Sequence, residues 1–200
     1  YEEVLRALQQ ENKELAVQLC VNALHDEKLS VVELYELILV PALNNIIVEY
    51  EIDDDLIWRE HVRSGIIRTI IESAYPFIVK EREKRSPHNE KVIVMCPEYE
   101  DHELGARMVS DYFLLEGFDA TFVGARTPLN TVAKAIELIK PKYLCVSVTN
   151  AYNLISVKRT IEALKSDLDF KLTIILGGNA FKSNPDAYKW VGAEIFLSNY

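Results

Sequence analysis

Cysteine is scarce in this chain and never paired in sequence. The three present, Cys20, Cys96 and Cys145, are odd in number, lie in apolar contexts and form no Cys-x-x-Cys. That argues against a disulfide framework and against a zinc set, and reads as buried free thiols of a cytosolic protein. No apolar run approaches the length of about 18 residues that a membrane helix needs. No signal peptide is visible, so the expected location is the cytoplasm, away from membranes. The chain opens on Tyr1, and the reading allows for residues upstream of it.

Positive charge is also lacking, with 22 Lys and Arg against 31 Asp and Glu and a net charge of −9. Residues 1–90 carry 10 bases and 18 acids, a balance of −8, and residues 91–200 carry 12 and 13, a balance of −1. Neither half is a nucleic-acid surface, so any action on DNA must pass through another domain or partner. No nucleophile motif, phosphate loop or catalytic dyad is present, and the chain is not read as an enzyme by itself. Internal repeats and low-complexity segments are absent too.

What the chain does have is apolar substance in two patterns. Its 200 residues are 49% hydrophobic, enough for one good core or two small ones. Up to residue 84 the apolar residues recur at helical spacing. Helices are predicted over 2–10 (Val4, Leu5, Leu8), 12–27 (Leu15, Leu19, Ala23, with Cys20), Val31 to Glu49, and Leu56 to Lys84. Ser30 with Glu33 forms a capping box at the third, which is expected to bend or break at Pro41. An acidic stretch, 50–55, connects it to the fourth. Four helices on short links predict a four-helix bundle over 1–84, followed by a charged linker over 81–89.

From residue 90 the period changes. Short β-branched runs at Val92–Cys96, Ala120–Val123, Tyr143–Thr149, Leu172–Leu176 and Glu194–Leu197 alternate with helical patterns. This predicts an α/β domain over 90–200, a flavodoxin- or Rossmann-like doubly wound five-stranded parallel sheet. Right-handed crossovers make 2-1-3-4-5 the expected strand order. The first β–α loop presents Glu100, Asp101 and His102 at the carboxyl end of a strand, the edge where ligands bind in open α/β sheets.

The spacing Glu100-x-His102-x-x-Gly105 has a chemical logic. A neutral imidazole is a good ligand for a borderline transition metal. A carboxylate two residues earlier can hold the other ring nitrogen, fixing tautomer and basicity. A glycine three residues on lets a bulky group pass close to a helix backbone. The same residues also suit a plain helix-start histidine with a helix-packing glycine. The spacing resembles the Asp/Glu-x-His-x-x-Gly signature of cobalamin (vitamin B12)-binding domains, and the likeness runs along nearly the whole chain. Glu60-His61 is similar to a Glu-His pair on the family's fourth bundle helix, ten residues after a Trp position that is Tyr50 here. Ser147-x-Thr149 and Gly177-Gly178 look like the family's Ser-x-Leu or Ser-x-Thr and Gly-Gly elements. Each element has a bland alternative. Tyr50 suits a half-buried helix end, His61 a satisfied bundle core, Ser147 a cap, and Gly177-Gly178 a strand-end turn.

The resemblance implies cobalamin bound base-off, in adenosyl, methyl or hydroxo form, with His102 beneath the cobalt and Glu100 supporting it. It places Asp101, Leu104 and Gly105 at the ligand loop and the nucleotide tail among Gly105, Ser147, Thr149, Gly177 and Gly178. It sets Tyr50, Glu60 and His61 toward the upper axial group. Two functions are compatible with that chemistry. One is a sensory module resembling the C-terminal half of cobalamin-dependent MerR-type transcriptional regulators, with a DNA-binding domain upstream. The other is a corrinoid methyl carrier served by a methyltransferase partner; a homo-oligomer suits either. A degenerate domain without cofactor is opposed by the intact spacing. The chain departs from the light-sensing members at Tyr50, and at Glu51, where some supply a second cobalt-binding histidine. A carboxylate is the poorer partner there, which argues against light-driven bis-histidine ligation.

Overall fold

The computed structural model describes residues 1–45 and 57–198. The chain divides into two compact units, Tyr1–Lys84 and Arg85–Tyr200.

The first unit is helical. Helix α1 (Glu2–Gln9) buries Val4 with Ala7 and Leu8, three and four residues on, and α2 (Lys13–His25) buries Ala16, Cys20 and Leu24 at four-residue spacing. Asn12 caps α2, its side chain accepting from the Leu15 N–H at 3.1 Å. The capping box forms as expected: Ser30 Oγ accepts from the Glu33 N–H, and the Glu33 carboxylate accepts from the Ser30 N–H at 2.8 Å. Helix α3 then departs from expectation. It starts α-helical at Val31–Glu33, widens to a π-helix over Leu34–Leu39 and continues to residue 45, passing through Pro41 without a break. Proline lacks an N–H and crowds the carbonyl four residues back, and the wider π turn lies just ahead of it. The rest of the expected third helix, with Tyr50 and Glu51, falls outside the described residues. Helix α4 (Ile57–Arg82) carries an internal Pro76 and buries Ile66, Ile67, Ile70, Ile71, Ala74 and Ile78. Arg63 on the same helix is buried, reaching Glu11 at 3.3 Å and the Gln9 carbonyl at 3.4 Å.

The second unit is a five-stranded parallel sheet in the expected order, β2-β1-β3-β4-β5. Its elements are β1 (Lys91–Pro97), α5 (Leu104–Leu115), β2 (Asp119–Thr127), α6 (Leu129–Ile139), β3 (Tyr143–Ser147), α7 (Leu154–Asp167), β4 (Thr173–Gly177), α8 (Ala187–Val191) and β5 (Ile195–Leu197). β1 lies inside the sheet between β2 and β3 and is buried from Val92 to Pro97, as a parallel strand covered on both faces should be. One face packs Ile93, Met95, Leu144, Val146, Ile174 and Leu176 under α6 and α7. The other packs Val92, Val94, Cys96, Cys145 and Ile175 with Ala106 and Val109 of α5.

Two boundaries differ from the sequence expectation for identifiable reasons. β2 runs past Gly124 to Thr127. Gly124 (φ 104°) accommodates an irregularity, and the pairing with β1 shifts twice, between Val94 and Met95 and between Met95 and Pro97. β3 stops at Ser147, short of Thr149, because the Thr149 N–H turns away to a carboxylate on the β1 loop. Among the described residues no helix is long and apolar enough to cross a membrane.

Candidate cofactor site at the carboxyl edge of the sheet

At the end of β1 the chain leaves the sheet and places one carboxylate in its interior. Glu100 is fully buried, yet its side chain is saturated with donors. Oε1 meets His102 Nδ1 at 2.5 Å and accepts from the His102 N–H at 3.3 Å. Oε2 accepts from the Thr149 and Asn150 N–H groups at 2.9 Å each and from Asn153 Nδ2 at 3.1 Å. Burial alone would push this carboxyl upward. The hydrogen bonds from His102, Asn150, Thr149 and Asn153 outweigh it and hold the group down at about 2. Glu100 is therefore a fixed anion, and it fixes the imidazole in turn. The His102 side chain is 49% exposed. With Nδ1 committed to Glu100, a metal would be ligated through Nε2.

Asn153 is the residue that sequence reasoning missed. It is 4% exposed, and its Nδ2 donates both to Glu100 and to the Tyr99 carbonyl, each at 3.1 Å. It thereby ties the β3 loop to the β1 loop. Its local signal is poor, since an Asn ahead of a helix reads as an ordinary loop residue. Only the packing of two loops distant in sequence selects it over Asn150. Replacing Asn153 with Ala should cost about 1–2 kcal/mol, read as a lower denaturation midpoint at an unchanged m-value.

The other predicted edge residues come together through register. Ser147 pairs with Gly177 and Gly177 with Leu197, and one step back Cys145 pairs with Ile175 and Ile175 with Ile195. Alternation puts these side chains on the α5 face. Ile195 and Leu197 are 38% and 39% exposed there, so the face continues beyond α5 as a partly open apolar ledge with Gly177 in its middle. A Cβ on Gly177 would meet the Leu197 carbonyl at 3.3 Å. Gly178 is constrained more tightly. Its φ is 107°, and a Cβ there would lie 2.4 Å from the Val148 carbonyl oxygen, so only glycine lets the turn close on the end of β3.

Around this centre, Asp101 pairs with Arg126, Leu104 is buried in the first turn of α5, and Gly105 follows it half-buried. The arginine keeps the Asp101 carboxyl below its usual range. In the helical unit His61 is exposed, so the bundle-core alternative does not hold for it. It lies 3.4 Å from Glu60, whose other oxygen accepts from Ser64 at 2.7 Å. Cys96 and Cys145 are buried, and burial pushes the Cys145 thiol up to about 12 and Cys96 further, which keeps both unreactive.

A family model, the B12 binding domain, matches residues 90–197, more than half of the chain. The chain belongs to the B12-binding domain family. As a B12-binding protein it has a curated relative in the HTH-type transcriptional repressor CarA of Myxococcus xanthus. The two are 24% identical over 137 residues, 68% of this chain but 45% of the repressor, so the match spans less than half of that protein. Among solved structures, the Methanosarcina barkeri monomethylamine corrinoid protein shares the fold at a TM-score of 0.84 and 16% identity, covering 98% of this chain and 91% of that one. The M. barkeri methanol:cobalamin methyltransferase complex MtaBC matches at a TM-score of 0.51 and 17% identity, covering 98% and 72%.

The residues present fit cobalamin. Among the described residues no group of three or more His, Cys, Asp or Glu side chains could hold a bare ion. A single imidazole on a buried carboxylate suits a metal that arrives already held by its own macrocycle. The adjoining apolar ledge suits a ligand extended along the sheet.

Proposed function

We propose that this B12-binding protein takes cobalamin base-off, with His102 as the lower ligand and the nucleotide tail along the Ser147–Gly177–Leu197 row, and that it serves as a sensory or regulatory module. The carrying observation is the Glu100–His102 contact at 2.5 Å, backed by three further donors on a fully buried carboxylate. Such a carboxylate orients the ring before any ligand arrives and raises its basicity, so little reorganisation is left for binding. Bound cobalamin would supply a cobalt centre that His102 would ligate and that could take up and release a further ligand. The chain's own part is to present Nε2, to keep Glu100 ionised, and to cover the tail with apolar surface in place of water.

The regulatory reading is supported by the repressor relative and by the Glu60-His61 pair, which the sequence resemblance sets toward the upper axial ligand. The second reading, a methyl carrier visited by a methyltransferase, draws support from a fold shared with a corrinoid protein over 98% of the chain. The decisive experiment for the ligand is electron paramagnetic resonance of the cob(II)alamin complex, with the protein labelled at histidine with ¹⁵N. His102 ligation predicts that the nitrogen splitting changes from triplets to doublets on labelling. Retained triplets would mean that the cofactor's own base stays on the cobalt. Gel filtration of the protein with and without adenosylcobalamin then separates the functions. A cobalamin-dependent change of assembly favours a sensor, and demethylation of the methylcobalamin complex by an added methyltransferase favours a carrier.

A further inference from the structure

The His102 loop is held on its inner side by Glu100 and Asn153. On its outer side it is held by the connection that follows β2. The Arg126 guanidinium grips the Asp101 carboxylate through Nε and, at 2.7 Å, through Nη2. The Arg126 N–H donates to the Glu100 carbonyl at 3.2 Å. Next to it the Ala125 N–H donates to Glu103 Oε2 at 2.9 Å. These attachments fall at positions 100, 101 and 103, on either side of His102.

An arginine at position 126 is not what the backbone asks for. Its φ is 51°, in the left-handed region that glycine enters freely and a long side chain does not. Asp101 and Arg126 have side chains 62% and 69% exposed, and exposed pairs generally contribute little unless their geometry is bidentate. This one is bidentate, and it closes on the residue next to the proposed metal ligand.

We propose that Arg126 is a positioning residue for His102: by clamping Asp101 from outside it sets the ligand loop for cobalamin and makes cobalamin binding salt-sensitive. This rests on the cobalamin reading above. The backbone bond to Glu100 survives any substitution that keeps the N–H, so the guanidinium can be removed alone. Arg126→Gly does this while giving position 126 the residue its φ prefers.

The test uses the full chain. Apo melting is measured, and hydroxocobalamin is titrated at low salt and at about 0.5 M salt, where exposed charges are screened within a few ångströms. The expected result is an R126G protein that melts no lower than wild type but binds hydroxocobalamin about 2–5-fold more weakly at low salt, the worth of a good exposed ion pair. The gap should narrow at high salt, where the wild type loses the clamp. The charge-swapped D101R/R126D protein should regain most of the affinity, since Asp tolerates the left-handed region. Equal affinities at both salts would overturn the proposal. So would a binding loss that tracks a lower apo melting temperature and is not rescued by the swap, because that marks a structural role. A wild-type chain that binds no hydroxocobalamin overturns the cobalamin reading itself, and this inference with it.

Discussion

His102→Ala should abolish the imidazole-ligated spectrum of bound cobalamin and weaken its binding by about 100-fold. Changes to the partners behind a ligating histidine already cost about 10–100-fold in metal affinity, and here the ligand itself is removed. The fold should survive. The His102 side chain is half-exposed, and Glu100 retains the Thr149, Asn150 and Asn153 donors when the ring is gone. The check is a titration with hydroxocobalamin followed by visible absorption, beside a thermal melt of the apo protein. An H102A protein with wild-type affinity and wild-type bands would remove His102 from the cobalt. Exogenous imidazole should restore part of the ligated spectrum, because the truncation leaves room beside an intact carboxylate.

Glu100→Gln should be the most destabilising single change at the site. The carboxylate is fully buried and receives donors from His102, Thr149, Asn150 and Asn153. An amide keeps the shape but turns an NH₂ toward one side of that donor set, leaving at least one buried donor facing another. Together with the lost charge-assisted bonds, the cost should be about 2–4 kcal/mol, read from the denaturation midpoint. The change should also alter the acid limb of stability. The folded-state carboxyl titrates at about 2 against an ordinary 4.5, so its contribution is full above about 4.5 and disappears as pH falls through about 2. It is worth on the order of 3 kcal/mol. Wild-type stability should therefore fall between those pH values through this group, while E100Q, already weaker at neutral pH, should lack that part of the slope. Parallel acid limbs for the two proteins would show that Glu100 does not carry a depressed titration. The same variant should bind hydroxocobalamin about 10–100-fold more weakly, since the imidazole loses its carboxylate partner.

Much of this molecule is legible in one dimension because the relevant physics is local. Strand and helix periods, the Ser30–Glu33 box and the alternation that yields a 2-1-3-4-5 sheet all follow from contacts within a few residues or from chain handedness. The Glu100–His102 contact is of that kind too, since two residues of separation suffice for the carboxylate to reach the ring. The contacts that depend on packing lie across the loops. Asn153 completes the Glu100 site from 53 residues away, and Arg126 reaches Asp101 from 25 away. Neither separation has a period, so neither leaves a trace in the sequence. The continuation of α3 through Pro41 and of β2 past Gly124 are likewise tertiary outcomes, because a π turn and a bulge become affordable only when the surrounding packing holds the chain to them. Local patterns in the chain were enough to specify the sheet order and the Glu100–His102 contact. Packing of the loops determined which other residues hold that pair in place, because a buried charge takes its partners from whatever the fold brings within hydrogen-bond reach.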